Sequence, residues 1–323
     1  MKNVIIKGTG SYAPPHVRSN DFFEKVGSSD HWIREKLGIH ERRIALGETT
    51  SDLAAKAGIK AIRDAKLKPT DIDLIVVATA TPDRQAPSCA CFVQKKIKAI
   101  NAVAFDISAV CSGALYAICT AMQFIKTGVY NNVLVIGADT FSTITDWSRR
   151  DSVFFGDGAG ALILSGTSDN KGFIDFSMHT DSVGLNHFTI PGGGAELPSS
   201  IETVDSGSHF WQMNGQEIYS TAVDVLPKSI NKLLEKNNLK INDIDFLLPH
   251  QPSIRILKDI AALIGMPFEK VKTNMDRYAN TSGGTIPIVL DEVRKNEGFR
   301  PGQIVLFASI GAGMTWATAI YKW

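Results

Sequence analysis

The chain has 323 residues, 44% of them apolar and 21% charged, which is the composition of a folded protein and not of a disordered one. This length favours two domains, or two closely packed halves, over a single core. The formal net charge of +1 argues against a protein that neutralises many phosphates along DNA or RNA, so we expect no nucleic-acid partner.

The N-terminal segment, residues 1–8, is predicted to form a β-strand. It contains neither the apolar stretch nor the cleavage site of a signal peptide. No run of about 18 apolar residues occurs in the sequence, so no membrane-spanning helix is predicted. We therefore expect a cytoplasmic protein that does not bind a membrane.

Two stretches of the chain repeat one order of elements, which is a helical pattern, an acidic turn and an apolar strand. The first copy comprises residues 53–65, 69–73 and 74–78, and the second comprises residues 218–234, 241–245 and 246–248. In the second copy, Pro227 predicts a break or kink in the helix. The alternative is a chance similarity between two ordinary strand–helix–strand units.

The two copies stay in step beyond these strands. Each continues with a second helix, predicted for residues 87–97 and 253–264, and then with another strand. Each next reaches a polar residue at the head of a glycine-containing turn, Cys111 in the first copy and Asn280 in the second. Strands that alternate with helices predict an α/β protein with parallel strands.

We divide the chain into two halves of similar fold, residues 1–170 and residues 171–323. A pseudo-twofold axis between the halves would bring Cys111, from the first half, close to Asn280, from the second. The longest loop-like region, residues 184–208, lies after the first repeat and either covers a site or contacts a partner.

The four cysteines, Cys89, Cys91, Cys111 and Cys119, all lie in the first half of the chain, which is not typical of a disulfide framework. Cys89 and Cys91 lack the two-residue spacer and the second ligand pair of a zinc site, so no metal is expected. We interpret three of the four cysteines as structural residues buried in the core.

Cys111 follows an apolar run and precedes a helix that begins near Gly113. A helix N-terminus stabilises a thiolate, so we expect a lowered pKa and a nucleophilic Cys111 whose own amide assists as an oxyanion donor. The small neighbours Ser112 and Gly113 leave room for a substrate carbonyl. The alternative is a buried structural cysteine of the kind expected for Cys119.

His250 follows the predicted strand 246–248, at the end where catalytic groups of open α/β sheets gather. A lone histidine after a strand is more often structural, but its place in the copy that carries Asn280 favours catalysis. Asn280 begins a loop with the sequence Asn-Thr-Ser-Gly-Gly. Such a loop presents an amide donor or caps the next helix, and the two roles are compatible.

Two further segments are rich in small residues. Gly311, Ala312 and Gly313 follow the predicted strand 304–307, let the backbone approach a substrate and offer an amide as an oxyanion donor. Residues 155–161 look like a phosphate loop but lack the following Lys-Ser/Thr pair. We predict for them a tight turn that supports the wall of the active site.

Five motifs together resemble those of the β-ketoacyl-acyl-carrier-protein synthase III family, whose members are condensing enzymes. They are Ala109–Gly113, His250–Gln251, Asn280–Ser282, Phe155–Gly160 and Gly313–Trp316. The match runs in one order from Gly8 to the C-terminus. The resemblance implies an α/β thiolase-like fold, with two pseudo-twofold-related halves in a layered αβαβα arrangement.

The resemblance also implies an activity, that of a homodimeric acyltransferase of fatty acid biosynthesis. Cys111 would accept an acyl group from acyl-coenzyme A and then condense it with malonyl-acyl carrier protein, which loses carbon dioxide. His250 and Asn280 would donate hydrogen bonds to the thioester oxygen and stabilise the enolate. No metal and no permanently bound cofactor are expected, and acyl-coenzyme A is a substrate.

By the same resemblance, Trp32 stacks on the adenine of coenzyme A with Arg150 on the other side, and Arg255 docks the acyl carrier protein. The alternative for Trp32 is a contact between the subunits of a dimer. The alternative for Arg255 is a solvent-exposed charge without a partner role. Lys36 and His40 stand where the family commonly has arginines. These two residues weaken bidentate binding of a phosphate.

Three more departures from the family pattern concern the substrates. Ser253 replaces the asparagine that usually continues the His-Gln motif, and Gln216 replaces an asparagine that lines the pantetheine tunnel. Ala86 replaces the bulky residue that closes the acyl pocket across the dimer in short-chain enzymes. We therefore expect a longer or branched acyl primer.

Other enzyme classes fit the sequence less well. A degradative thiolase needs a second catalytic cysteine late in the chain, and none follows Cys119. The internal repeat disfavours a papain-like hydrolase. The leading alternative is a specialised secondary-metabolism homologue that condenses or transfers the acyl group to a different acceptor, and an inactive subunit that only binds acyl thioesters is a further one.

Overall fold

The computed structural model describes residues 2–323, and Met1, the first residue of the predicted N-terminal strand, lies outside the described residues. The strands are β1 (Asn3–Tyr12), β2 (His16–Ser19), β3 (Glu41–Ile44), β4 (Leu74–Ala78), β5 (Val103–Ile107), β6 (Asn132–Asp139), β7 (Gly158–Thr167), β8 (Gly172–Thr180), β9 (Phe188–Thr189), β10 (Gln212–Met213), β11 (Phe246–Pro249), β12 (Ile304–Gly311) and β13 (Thr315–Lys322). The helices are α1 (Asp30–Leu37), α2 (Thr50–Asp64), α3 (Cys89–Ile97), α4 (Gly113–Lys126), α5 (Ile201–Asp205), α6 (Gly215–Lys236), α7 (Ile254–Leu263), α8 (Met275–Tyr278) and α9 (Thr285–Asn296). None of these helices is both long and apolar enough to cross a membrane.

Two larger sheets share one topology. The first has the strand order β1-β7-β6-β4-β5, and the second has the order β8-β13-β12-β11. In the first sheet β4 runs parallel to β5 and β6, and in the second β11 runs parallel to β12, while the remaining neighbours are antiparallel. Val271 forms a parallel bridge to Leu247 on the free side of β11, where β5 lies in the first sheet. The predicted internal repeat is confirmed.

The acidic turns that lead into β4 and β11 have the same hydrogen bonding. The amide of Lys68 donates to the Asp71 carboxylate at 2.8 Å, and the amide of Lys240 donates to the Asp243 carboxylate at 2.7 Å. Each aspartate thereby satisfies a free amide at the start of a short 3₁₀ turn. The same local sequence therefore directs the chain into the central strands of both sheets.

Helices α4 and α9 lie between the two sheets and form the central layer. Leu115 and Leu290, from these helices, share one core with Val76 of the first sheet and Phe307 of the second. Helices α2 and α3 cover the outer face of the first sheet, and α6 and α7 cover that of the second. The layers follow the predicted αβαβα order. The division of the chain after residue 170 falls between β7 and β8, and as a domain boundary it stays a prediction.

Of the break or kink predicted at Pro227, the break is wrong, and the kink stays a prediction. Helix α6 continues through this residue from Gly215 to Lys236. The proline removes only one backbone hydrogen bond, and Leu226 and Ile230 beside it are buried in the core under the second sheet. Apolar packing therefore keeps the helix continuous.

The predicted tight turn at residues 155–161 is also wrong, because the chain enters β7 at Gly158. The small residues of this segment serve close packing instead. A Cβ on Gly160 would lie 2.5 Å from the Cβ of Pro287 in α9. Glycine at this position lets α9 pack directly on the first sheet.

Candidate active site

A cavity of about 810 Å³ is lined by residues from both halves of the chain. Cys111 reaches its wall from the first half, and His250 and Asn280 reach it from the second. The lining changes from buried side chains near these residues to the exposed side chains of Lys36 and Arg255. These two cationic residues mark the opening of the cavity.

Cys111 lies in a 3₁₀ turn, Val110–Ser112, between β5 and α4. Val110 has a φ of 45°, a left-handed conformation that a β-branched residue rarely adopts. Strand β12 packs against this turn, and a Cβ on Gly311 would lie 2.7 Å from the Ser112 nitrogen. The turn places the thiol at the head of α4 with the second half in direct contact.

The Cys111 thiol is protonated in this environment. Burial raises its pKa to about 12, while hydrogen bonding with Ser282 and Asn280 acts to lower it. The protonated Sγ donates to the Ser282 hydroxyl oxygen at 3.8 Å. The lowered pKa predicted from the helix N-terminus is therefore wrong for the free protein, because desolvation outweighs these hydrogen bonds. The proton must leave the thiol during the reaction.

His250 directly follows β11 and is 3% exposed. Its Nδ1 lies 2.8 Å from Thr285 Oγ1, and burial lowers the pKa of the imidazole to about 3. The ring is therefore neutral at physiological pH. The neighbouring Gln251 is structural, since its amide group donates to Pro249 O at 2.9 Å and to Lys272 O at 3.2 Å.

Asn280 lies in the loop between α8 and α9. Its backbone nitrogen donates to Phe154 O at 3.1 Å, and its backbone oxygen accepts from Gly156 N at 3.0 Å. Its Oδ1 accepts a hydrogen bond from Ser282 N at 2.8 Å. The oxygen end of the carboxamide is thus occupied, and the side chain lowers the pKa of the Cys111 thiol through a hydrogen bond. This leaves the NH₂ end as the donor of the site.

Asp139, at the end of β6, connects the two halves, although no sequence pattern pointed to it. One carboxylate oxygen accepts from Ala80 N at 2.7 Å and from two threonine hydroxyls, and the other accepts from Gly283 N at 3.1 Å. The side chain is fully buried, and burial raises the pKa of its carboxyl. Asp139 therefore holds the loop that carries Asn280 against the first half.

Comparisons with known proteins agree on one family. The model of 3-oxoacyl-[acyl-carrier-protein] synthase III matches residues 105–182, and the model of its C-terminal region matches residues 234–323. The beta-ketoacyl-[acyl-carrier-protein] synthase III of Clostridium acetobutylicum is 43% identical over 100% of this chain and 99% of the relative. That of Caldanaerobacter subterraneus is 44% identical over 98% of this chain and 97% of the relative. The chain belongs to the 3-oxoacyl-[acyl-carrier-protein] synthase III family.

Solved structures of synthase III proteins have the same fold. The crystal structure from Aquifex aeolicus gives a TM-score of 0.92 at 37% identity and covers 99% of this chain and 100% of that one. The structure from Pseudomonas aeruginosa gives a TM-score of 0.92 at 29% identity, over 100% of this chain and 98% of that one. The predicted thiolase-like fold and the predicted activity of a condensing acyltransferase of fatty acid synthesis are confirmed. The comparisons give no support to the specialised homologue.

The substrate-binding residues predicted for a synthase III fall into two groups. Those that line the cavity are Trp32, Lys36, Gln216, Ser253 and Arg255. Arg150 does not reach the lining, but its guanidinium carbon lies 5.3 Å from the centre of the Trp32 ring. Ala86 is exposed and lies away from the cavity of its own chain.

Neighbouring groups in the protein hold three of these side chains. Ser253 caps α7, since its hydroxyl accepts from Ile256 N at 3.3 Å. The Lys36 ammonium group pairs with the adjacent Glu35 at 2.6 Å. The Arg255 guanidinium lies 4.6 Å from the centre of the Tyr219 ring. Their polar groups at the cavity are therefore already partly engaged within the protein.

Two backbone positions of the predicted oxyanion site lie where expected, and one does not. Gly311 and Ala312 line the cavity. Gly313 does not line the cavity. It lies in the turn between β12 and β13 and has a φ of 127°. The role of these backbone positions as amide donors stays a prediction.

The sequence analysis placed residues 155–161 at the wall of the active site but did not identify the other apolar side chains of that wall. Its members include Phe154, Phe155, Phe188 and Met213. Phe154 and Phe155 stand next to each other ahead of the glycine-rich segment, which is a sequence signal. Phe188 and Met213 have no such signal, because they lie on β9 and β10, which are only two residues long. Within residues 2–323, no group of three or more His, Cys, Asp or Glu side chains is arranged to hold a metal ion.

Proposed function

We propose that this protein transfers an acyl group from acyl-coenzyme A to Cys111 and condenses it with malonyl-acyl carrier protein. The observation that carries this proposal is one cavity that receives a thiol, an imidazole and a carboxamide from two halves of the chain. Full-length relatives are named beta-ketoacyl-[acyl-carrier-protein] synthase III, a name in which the product is carried on acyl carrier protein, and this supports the same acceptor here.

In the first half-reaction, the Cys111 proton passes to His250 Nε2 and Sγ attacks the thioester carbonyl. This transfer needs a neutral imidazole, and the low pKa of buried His250 supplies one. The amides of Cys111 and of Gly311 or Ala312 donate to the carbonyl oxygen as negative charge develops on it. Coenzyme A leaves with the proton as a free thiol.

In the second half-reaction, the malonyl thioester loses carbon dioxide and the electron pair forms an enolate. His250 Nε2 and Asn280 Nδ2 donate hydrogen bonds to the enolate oxygen. The bond from Ser282 N to Asn280 Oδ1 supports this role, because it turns the NH₂ end towards the substrate. The enolate carbon then attacks the acyl group, and Cys111 leaves as a thiolate that takes up a proton from water to restore the thiol.

We assign substrate recognition to the outer part of the cavity. The side chains proposed to contact coenzyme A are Trp32 and Arg150 at the adenine, Lys36 at a phosphate, and Gln216 and Ser253 at the pantetheine. Arg255 is proposed to dock the acyl carrier protein, and its exposure at the opening supports this. The scheme uses no metal and no resident cofactor.

We further propose a cytoplasmic homodimer. Strand β5 is the last strand of the first sheet, and Val103 at its start is 50% exposed. The aromatic side chains of Phe105, Tyr116 and Phe124 are only partly buried next to it. A second copy on this face would cover these apolar groups. In such a dimer the small Ala86 would leave room in the partner's acyl pocket for a longer or branched primer.

Intact-mass spectrometry with a panel of acyl-coenzyme A thioesters tests the first half-reaction. An acyl adduct on Cys111 is expected, with longer or branched chains favoured over acetyl. Release of carbon dioxide from malonyl-acyl carrier protein by the acylated enzyme tests the second half-reaction. No adduct would contradict the whole proposal, and an adduct without carbon dioxide release would contradict the condensation.

A further inference from the structure

We propose that Thr285 is a positioning residue that allows His250 to adopt both neutral tautomers, one for each half-reaction. In this scheme Nε2 of the free enzyme is a proton acceptor for the Cys111 thiol, and Nε2 of the acyl-enzyme is a donor to the malonyl thioester. The inference rests on the proposed function of His250.

The Thr285 hydroxyl has two polar neighbours. Its Oγ1 lies 2.8 Å from His250 Nδ1 and 3.0 Å from Ser282 O. When the hydroxyl donates to Ser282 O, it accepts from Nδ1–H, and Nε2 carries a lone pair. When the hydroxyl rotates towards Nδ1, it donates instead, and Nε2 carries the hydrogen. One side chain thus satisfies either tautomer without moving.

The two half-reactions require opposite states of Nε2. Acylation needs a lone pair that accepts the Cys111 proton, whereas condensation needs an N–H that faces the enolate oxygen. A doubly protonated ring would provide that N–H, but burial disfavours the cation and lowers the pKa of His250 to about 3. Within residues 2–323, no carboxylate hydrogen-bonds to the ring to offset this. The neutral ring must therefore change tautomer.

The protons balance in this scheme. During acylation the Cys111 S–H bond breaks, and Nε2 relays the proton to the departing coenzyme A thiolate. The doubly protonated ring exists only during this transfer, and the ring ends neutral with its hydrogen on Nδ1, as it began. Before condensation, a water molecule gives a proton to Nε2, and the hydroxide so formed takes the proton from Nδ1 and becomes water again, so the charge of the ring does not change. Thr285 stabilises the ring on both sides of that exchange.

The other half of the chain offers an internal comparison. Strand β4 pairs with β6 in the register in which β11 pairs with β12, and this equates Ala78 with His250. Gly113 and Thr285 correspond as the first residues of α4 and α9. A Cβ on Gly113 would lie 3.0 Å from the Ala78 Cβ, so the strand end meets the first residue of the helix in both halves. The contact carries a hydroxyl only where the strand ends in an imidazole.

Thr285→Val tests the inference, because valine keeps the shape of threonine and removes the hydroxyl. Nitrogen-15 NMR of histidine-labelled protein, with His250→Ala to assign the signals, should show Nδ1–H in the wild type and Nε2–H in Thr285→Val. Acylation should slow by about tenfold to a hundredfold, since the reactive tautomer now buries an unpaired N–H. Carbon dioxide release by pre-acylated enzyme should stay near the wild-type rate.

Thr285→Ser is the matched control, and it should keep the wild-type tautomer and both rates. An unchanged tautomer in Thr285→Val, or an equal loss in both half-reactions, would overturn the inference. A folded Thr285→Ser protein as slow as Thr285→Val would also overturn it, since the role would then be steric. The NMR result does not depend on activity, so this inference and the proposed function can fail separately.

Discussion

The two halves of the chain use the same strand–loop–helix framework for different chemistry. The first half presents Cys111 at the head of α4, whereas the second presents His250 at the end of β11 and Asn280 ahead of α9. Burial acts on both ionisable groups in opposite directions, since it raises the thiol pKa to about 12 and lowers the imidazole pKa to about 3. Duplication thus fixes where the groups lie, and the buried cavity keeps them neutral until substrate arrives.

Removal of the Cys111 thiol, which the first half contributes, should have the largest effect on the rate of acylation. Cys111→Ala lacks the nucleophile, so acylation should fall by at least about a thousandfold. Intact-mass spectrometry after incubation with acyl-coenzyme A measures this loss. Cys91→Ala is the control, since Cys91 lies outside the cavity lining and should leave the adduct unchanged. An adduct of normal yield on the Cys111→Ala protein would place the nucleophile elsewhere.

The second half's histidine should make stability depend on pH. The pKa of His250 is lowered from 6.5 to about 3 in the folded protein, so the unfolded chain takes up a proton first as the pH falls. Stability from this group is complete above about pH 6.5 and decreases towards pH 3, by about 2 kcal/mol between pH 7 and pH 5. Urea unfolding at both pH values should show a smaller decrease for His250→Gln. Equal decreases in the two proteins would show that the ring is not buried as a neutral base.

A smaller effect is expected at the opening of the cavity. Arg255→Ala should raise the KM for malonyl-acyl carrier protein by about threefold to tenfold and leave acylation by acyl-coenzyme A unchanged, because an exposed charge steers an acidic partner. Lys232→Ala, which removes an exposed charge from α6 away from the cavity, is the control. The same KM change in both variants would show a general effect of net charge.

An effect of similar size is expected from the surface loop of the first half that carries Ala86. Ala86→Phe should shift the ratio of kcat/KM values for acetyl over longer acyl-coenzyme A by roughly threefold to tenfold, since a larger side chain would shorten the partner's acyl pocket. Steady-state assays with a chain-length series measure this ratio. An unchanged ratio would remove both the pocket assignment and the argument for a longer primer.

The sequence predicted the framework well because its signals are local. The apolar run 74–78 matches β4 residue for residue, and the acidic turns of the two copies revealed the repeat before any contact was known. At Pro227 the predicted break of α6 did not occur, since the helix is buried in the core on both sides of the proline. Tertiary packing decided the outcome there.

Part of the candidate site was also predicted from local sequence signals. The repeat placed Cys111 and Asn280 towards one cavity, and the structure brings both to its wall, while their catalytic roles stay proposals. The pKa of the thiol was predicted in the wrong direction, because desolvation depends on residues distant in sequence. Asp139 and Thr285 went unnoticed, since each acts through a neighbour that only folding supplies.

Intact-mass spectrometry of Asn280→Ala tests the division of tasks between the halves most directly. The variant is first acylated with acyl-coenzyme A and then given malonyl-acyl carrier protein. If the tasks are separate, Cys111 gains the acyl mass and keeps it, because the enolate lacks a donor, whereas the wild type loses that mass as carbon dioxide is released. Loss of the acyl group from Asn280→Ala at the wild-type rate would contradict the division.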